Sequence, residues 1–375
     1  MKLCVPAVYE FEYIDLLEKL NKKSLNNKVT EIYGSFNLAE VSSLRPSIWL
    51  DDVKVEFLSK YVKYAKDKGI FFNYVMNATC IGNKEVTKEG ALKIDSFIRS
   101  LVSLGIEYIT VSIPYLIAMI HERFPEIKIV CSICNEVDSV EKAKRFKELG
   151  VERIVLSRDI NRNMSLLNDI CAKVEMEYEV LANSKCLLKC INNQAHGNSS
   201  SHASLIDDAN TEKIQYNVYY FTYCQMKRVC NPENLLKSQW IRPEDMKYYD
   251  EKKINYLKID GRGKSSNDLL EVIEAYMICK YDGNFLKIID KTISDIFYLD
   301  NKKLSGFTEI FYEGKKSCNY DCDKCKVCLS YSLKNLEVDK KKWIKIKVQL
   351  DRQMKKLLKD EKSHLKIQSL IYHNK

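Results

Sequence analysis

A chain of 375 residues with 46% hydrophobic and 30% charged positions has the composition of a folded globular protein, long enough for one large domain or two ordinary ones. It lacks any uninterrupted apolar run of about eighteen residues, so no membrane-spanning helix is expected. The net charge of +9 is uneven: residues 331–375 carry 13 Lys and Arg against 5 Asp and Glu, which leaves the first 330 residues nearly neutral.

The N-terminus reaches Glu10 and Asp15 too soon for a secretory signal, and a cytoplasmic location is expected. From there, short β-branched runs alternate with amphipathic ones. Strands are predicted at Lys2–Val8, Val29–Tyr33, Ile70–Met76, Ile106–Ser112, Ile127–Ser132, Arg153–Ser157, Tyr178–Ala182 and Asn255–Ile259. Helices are predicted between and after them, at 10–22, 53–68, 89–104, 115–123, 139–149, 161–173, 244–251 and 267–281. Gly69, Gly105 and Gly150 stand where helices close left-handed, directly before a strand. Asp51, Thr87 and Asp138 occupy N-cap positions, and Pro243 suits a first helical position.

Eight strands alternating with eight helices predict an α/β fold, a (β/α)8 TIM-like barrel over residues 1–281. An open doubly wound sheet is the alternative, but no glycine-rich dinucleotide fingerprint follows the first strand. The last interval between strand starts, Tyr178 to Asn255, is 77 residues. A barrel unit averages roughly 30 residues, so the loop after strand seven carries an insertion, residues 184–240, on the face where barrel active sites form. Beyond it come a small cysteine-rich module, 282–330, with short strands at Phe297–Asp300 and Phe307–Phe311, and a lysine-rich tail, 331–375. The tail reads as one helix with an apolar stripe at Leu350, Met354, Leu357, Leu358 and Leu365.

Eight of the fourteen cysteines fall into two groups. Disulfides are rare in a reducing compartment, so clustered thiols there point to a metal or an iron–sulfur cluster. Cys186, Cys190, Cys224 and Cys230 form the first group. Their spacing is wider than the close pairs typical of zinc and suits a [4Fe–4S] cluster, with the identity of the fourth ligand left open. Cys318, Cys322, Cys325 and Cys328 form the second, a metal site for zinc or iron–sulfur that would knot the small module. The remaining six, Cys4, Cys80, Cys131, Cys134, Cys171 and Cys279, read as small buried hydrophobes.

Residues just past each strand face a barrel's active site. Here they are polar: Tyr33 to Ser35, Asn73, Asn77, Cys80, Ser112, Ser132, Cys134, Ser157, Arg158, Asn183, Cys186 and Asp260 to Arg262. Such a mouth suits an anionic or strongly hydrogen-bonding ligand, unless Arg158 and Arg262 simply pair with Asp159, Asp260 or Glu85. Asn77, Arg158, His202, Asp260 and Arg262 are the candidate catalytic residues. No His-Glu-x-x-His and no Gly-x-Ser-x-Gly motif is present.

Tyr33-Gly34-Ser35, Arg45-Pro46-Ser47, Phe72 to Cys80, Leu156 to Asp159, Glu179 to Asn183 with Cys186 and Cys190, Ser201-His202, Lys237 to Asp245 and Leu257 to Arg262 together resemble the peptidase U-32 (collagenase-like peptidase) family. The likeness covers most of residues 1–330. It implies a barrel fold and a cysteine-ligated iron–sulfur cluster. The family name implies proteolysis, whereas several relatives act as hydroxylation factors on RNA or a quinone precursor. The expectation is an iron–sulfur enzyme that modifies an RNA or small molecule at the mouth. The alternatives are a collagenase-like peptidase or peptide-modifying enzyme, and a non-catalytic redox sensor or assembly partner. The basic tail offers lysines to RNA phosphates, and an electron donor or partner protein is a further expected partner.

Overall fold

Apolar, β-branched runs bounded by polar turns give eight short strands: β1 (Lys2–Pro6), β2 (Lys28–Gly34), β3 (Phe71–Met76), β4 (Tyr108–Val111), β5 (Lys128–Cys131), β6 (Arg153–Val155), β7 (Glu177–Leu181) and β8 (Tyr256–Lys258). These elements come from a computed structural model that describes residues 1–36, 43–46, 50, 53–205, 217–252, 254–312 and 317–359. All eight strands pair in parallel, and β8 returns to β1, with Lys2 opposite Tyr256 and Leu3 opposite Leu257. That pairing closes the barrel and excludes the open sheet.

Six helices follow the first six strands: α1 (Phe11–Lys23), α2 (Val55–Asp67), α3 (Lys88–Ser103), α4 (Pro114–Arg123), α5 (Val140–Glu148) and α6 (Met164–Lys173). Their apolar faces, such as Leu58, Tyr61, Val62 and Ala65 on α2, pack on the strands as one continuous core. Gly150 turns left-handed at φ +85, and a Cβ there would meet the His121 ring at 2.3 Å. Glycine is therefore required on both counts. Thr87 caps α3 as expected, accepting from the Gly90 N–H at 3.1 Å. Ser139 rather than Asp138 caps α5, accepting from the Lys142 N–H. Asp51 lies outside the described residues.

The insertion after β7 folds as α7 (Asn193–Ser204), α8 (Val218–Cys230) and α9 (Asn234–Lys237). Then come α10 (Lys247–Asp250), β8, α11 (Ser266–Met277), α12 (Leu286–Ile289), α13 (Lys291–Ser294) and β9 (Phe297–Leu299). The chain continues through α14 (Glu309–Tyr312), α15 (Cys322–Cys325), α16 (Val327–Asn335), β10 (Leu336–Val338) and α17 (Lys340–Lys359). Two expectations are corrected here. Phe307–Phe311 is not a strand: it is a turn leading into the helix Glu309–Tyr312, with the Phe307 ring 5.8 Å from that of Phe311 and 5.3 Å from that of Trp240. The tail is not one helix either, because β10 interrupts it to pair antiparallel with β9. After that break α17 lies on α8, where Trp343 Nε1 donates to the Val229 carbonyl at 2.8 Å. Leu350 and Met354 of the apolar stripe are buried and Leu358 is 67% exposed, while Leu365 lies outside the described residues.

The barrel interior holds a feature that periodicity alone does not reveal. Arg153 of β6 reaches across to Glu31 of β2 at 2.5 Å and to Glu179 of β7 at 3.1 Å. Lys258 of β8 pairs with Glu179 at 3.1 Å, and Asn73 donates to Glu31 at 2.9 Å. Two carboxylates and two cations balance in a dry setting, which is how buried charge is tolerated.

Candidate active site at the barrel mouth

The C-terminal ends of the strands and helix α7 enclose a cavity of about 1220 Å³. Of the five candidate catalytic residues, Arg158, Asp260 and Arg262 line it. Asn77 and His202 are not part of its wall. The Asn77 side chain accepts from the Leu44 N–H at 3.2 Å and its carbonyl accepts from the Ser112 hydroxyl at 2.9 Å, so it holds two loops together. His196, six residues before His202 on α7, lines the cavity in its place. It stacks on Tyr220 of α8 with ring centroids 5.1 Å apart and a 15° interplanar angle. Burial, then the Arg158 charge, pushes its pKa down to about 4, so it is neutral at pH 7.

Arg158 sits in the turn after β6 and donates from Nη2 to the Asn193 side-chain oxygen. Among the described residues neither Arg158 nor Arg262 forms an ion pair with Asp159, Asp260 or Glu85. Arg158 Nε and Arg262 Nη1 are buried with no hydrogen-bond partner among the described residues. Buried donors left without a partner are costly, and both arginines also line the polar cavity, where an anion would pair with their charge. Closure of the barrel end by simple pairing is therefore not what these arginines do.

Cys186 and Cys190 come from the loop after β7 and Cys224 from the middle of α8. Cys186 stands in the cavity wall. Burial raises the Cys190 and Cys224 thiols, and each would be raised further by ionised Cys186, with Cys190 also acting on Cys224. The three thus lie within one another's electrostatic reach, although they do not form a set within 4.8 Å. Cys230 is not part of this set. It is exposed at the C-terminal end of α8, and six residues along a helix carry it about 9 Å from Cys224 and onto another face. Of the expected four thiols, Cys186, Cys190 and Cys224 share one electrostatic environment and Cys230 stands on another face of α8.

Cations surround the three. Arg228 is buried on α8 beside Cys224 and Cys186, and it pairs with Asp290 at 2.8 Å. Lys185 lies 3.9 Å from the same carboxylate. Positive neighbours favour thiolates, and clustered thiolates are soft donors for iron–sulfur or zinc. The Lys189 N–H donates to Asp159 at 3.2 Å and fixes the cysteine loop against the Arg158 turn.

Of the six solitary cysteines, Cys4 and Cys131 are buried as expected, Cys80 and Cys134 line the mouth, Cys171 is half-buried, and Cys279 is exposed. Among the described residues, the one set of three ligand atoms within 4.8 Å of one another is Cys4, Glu31 and Glu179. Arg153 and Lys258 already occupy that set, so it is an ion-pair network of the protein's own. The second cysteine group also converges: Cys318, Cys322, Cys325 and Cys328 line one cavity of about 150 Å³ with Arg162, Gln239 and Leu188.

No helix among the described residues is long and apolar enough to cross a membrane. The model of peptidase family U32 matches residues 18–321. An uncharacterized protease of Methanocaldococcus jannaschii is 33% identical over 328 residues, which cover 87% of this chain and 94% of the relative. The solved U32 peptidase Mk0906 shares the fold at a TM-score of 0.50 and 18% identity, over 70% of this chain and 94% of that one. The chain belongs to peptidase family U32.

Proposed function

We propose that the mouth cavity is the active site of an iron–sulfur enzyme that carries out a hydroxylation-type modification of an anionic substrate, an RNA or a small molecule. One observation carries this reading: Cys186 stands in the same cavity wall as Arg158 and Arg262, neither of which is ion-paired among the described residues. Cys186, Cys190 and Cys224 would hold the cluster, and their cationic surroundings fit a negatively charged metal–thiolate group. Such a group supplies one-electron chemistry when bound. Arg158 and Arg262 bind and orient the anionic end of the substrate. His196, neutral at pH 7, offers an uncharged donor or acceptor beside them. RNA gains support from α17, whose exposed Lys341, Lys345, Arg352 and Lys355 form a basic surface that attracts phosphates.

Anaerobic purification with iron and sulfide assays and a visible spectrum tests this reading on the wild type and on a Cys186→Ala, Cys190→Ala variant. A coloured, iron-bearing protein whose iron falls in the variant is expected. An iron-free wild type sinks the proposal. For RNA, charge reversal of Lys341, Lys345 and Lys355 should weaken retention at low salt.

A peptidase is the second reading. It is carried by the names of the M. jannaschii relative and of Mk0906. Cleavage of gelatin by purified, iron-free protein, lost on Arg158→Ala, would favour it.

A further inference from the structure

Arg162 directs attention to the second thiol group. Its side chain is 1% exposed. Nη1 donates to the Leu236 carbonyl at 2.5 Å, and Nη2 donates to those of Ser238 at 2.8 Å and Trp240 at 3.3 Å. Its guanidinium lies 4.3 Å from the Trp240 ring centroid and 4.7 Å from that of Phe307. Among the described residues no carboxylate forms an ion pair with it, and Nε has no hydrogen-bond partner. Asp245, a carboxylate in its field, is already engaged by Arg242 and Thr308. A buried, uncompensated cation is strongly destabilising. Four neutral thiols would leave Arg162 in that condition, whereas a metal centre bound by four thiolates supplies the missing negative charge.

The geometry also favours iron–sulfur over a single zinc. A tetrahedral zinc at about 2.3 Å from each sulfur holds the sulfurs about 3.8 Å apart. No three of Cys318, Cys322, Cys325 and Cys328 lie within 4.8 Å of one another, and all four line one cavity of about 150 Å³. That spread suits a multi-iron group.

The two thiol groups are also neighbours. Leu188 lines the second cavity, and Cys186 and Cys190 each lie two residues from it, at most about 7 Å of chain away. Lys189 sits 4.5 Å over the ring of Tyr320, which lies between Cys318 and Cys322 in sequence. One five-residue loop therefore lends ligands to one site and a wall to the other.

We propose that Cys318, Cys322, Cys325 and Cys328 hold a second iron–sulfur cluster, charge-balanced by Arg162, that relays single electrons to the mouth cluster; this rests on the mouth reading above. In each transfer the second cluster is oxidised by one electron and the mouth cluster reduced by one. An external low-potential one-electron carrier restores the second cluster, and no bond or proton changes place.

The test uses full-length wild type, Cys186→Ala/Cys190→Ala and Cys322→Ala/Cys325→Ala proteins, purified anaerobically and assayed for iron, sulfide and zinc. Roughly eight irons are expected in the wild type and about half in each variant. Electron paramagnetic resonance of dithionite-reduced wild type should be broadened by coupling between two spins, and each variant should show a simple single-cluster spectrum. Zinc that persists in Cys186→Ala/Cys190→Ala overturns the second cluster. A wild-type spectrum equal to the sum of the two variants overturns the relay. Iron lost only with Cys322→Ala/Cys325→Ala sinks the mouth reading and the relay while the second cluster stands. Arg162→Gln keeps every thiol and covers the case in which the module variant misfolds. Its iron should be unchanged and one midpoint potential lower; an unshifted potential removes Arg162 from the proposal.

Discussion

The mouth thiols and the module thiols are assembled in opposite ways. Cys186 and Cys190 are held by a loop anchored to the barrel, and Cys224 by a helix more than thirty residues later. Barrel closure and the Arg228–Asp290 pair bring them together. The module thiols come from eleven consecutive residues, tied to the barrel by contacts such as the Cys318 N–H to the Arg162 carbonyl at 3.4 Å. That stretch contains one four-residue helix and two non-glycine residues in the left-handed region, Tyr320 at φ +68 and Lys326 at φ +53. Leu333, just beyond, is 79% exposed. Strained backbone persists only where its surroundings fix it. At the mouth the scaffold would make the site, whereas in the module the proposed centre would make the scaffold.

The sharpest way to break that contrast is to remove thiols from each side. Cys322→Ala/Cys325→Ala should open the module to limited proteolysis within residues 317–335, because structural metal binding is folding free energy, about 10–16 kcal/mol in small zinc modules. Cys186→Ala/Cys190→Ala should leave the thermal midpoint of the barrel nearly unchanged. Equal proteolytic resistance of both variants would dissolve the distinction.

Asp290→Ala comes next. It leaves Arg228 buried and unpaired, which should cost about 3–5 kcal/mol in denaturant unfolding. The same carboxyl has a pH signature. Against burial, Lys185 and Arg228 hold its pKa at about 2, below the ordinary Asp value. The stabilisation is therefore complete above about pH 4 and is lost as pH falls towards 2, an effect of about 2 kcal/mol. Asp290→Asn should flatten this acid limb, and an unchanged limb would show that other carboxylates dominate it.

Much of this was legible in the residues. Strand and helix periodicity located all eight strands, because a closed parallel sheet buries both strand faces and leaves an unbroken apolar signal. The 77-residue interval located the insertion. What escaped was what depends on distant partners. Glu31, Arg153, Glu179 and Lys258 interrupt apolar strands, and only closure of the ring shows that they neutralise one another. Phe307–Phe311 has strand composition, but Phe307 packs on Trp240 and Phe311 from a turn that leads into a helix. His202 and His196 share a helix, and nothing in their spacing says which faces the cavity. Cys230 matched a ligand count, whereas the α8 rotation that removes it is a property of the helix.

Arg158→Gln and Arg262→Gln probe the mouth alone. Each removes a charged donor worth about 1.5–3 kcal/mol, so affinity for an anionic probe such as a nucleoside monophosphate should fall about 10- to 100-fold by calorimetry. Iron content should hold, since neither residue is a thiol ligand. Unchanged affinity in both variants would place anion binding elsewhere.

Cys230→Ser should do the least: stability within about 0.5 kcal/mol and iron content equal to wild type. The reason is geometric. For Cys230 to join Cys224 at one centre, α8 would have to unwind its last turn, breaking the Trp343 bond to the Val229 carbonyl and lifting α17 from its seat. Loss of iron in Cys230→Ser, together with release of α17 to proteolysis in the wild type, would show that α8 does unwind when the site is filled. The mouth would then share the module's logic, with the bound centre shaping the chain around it.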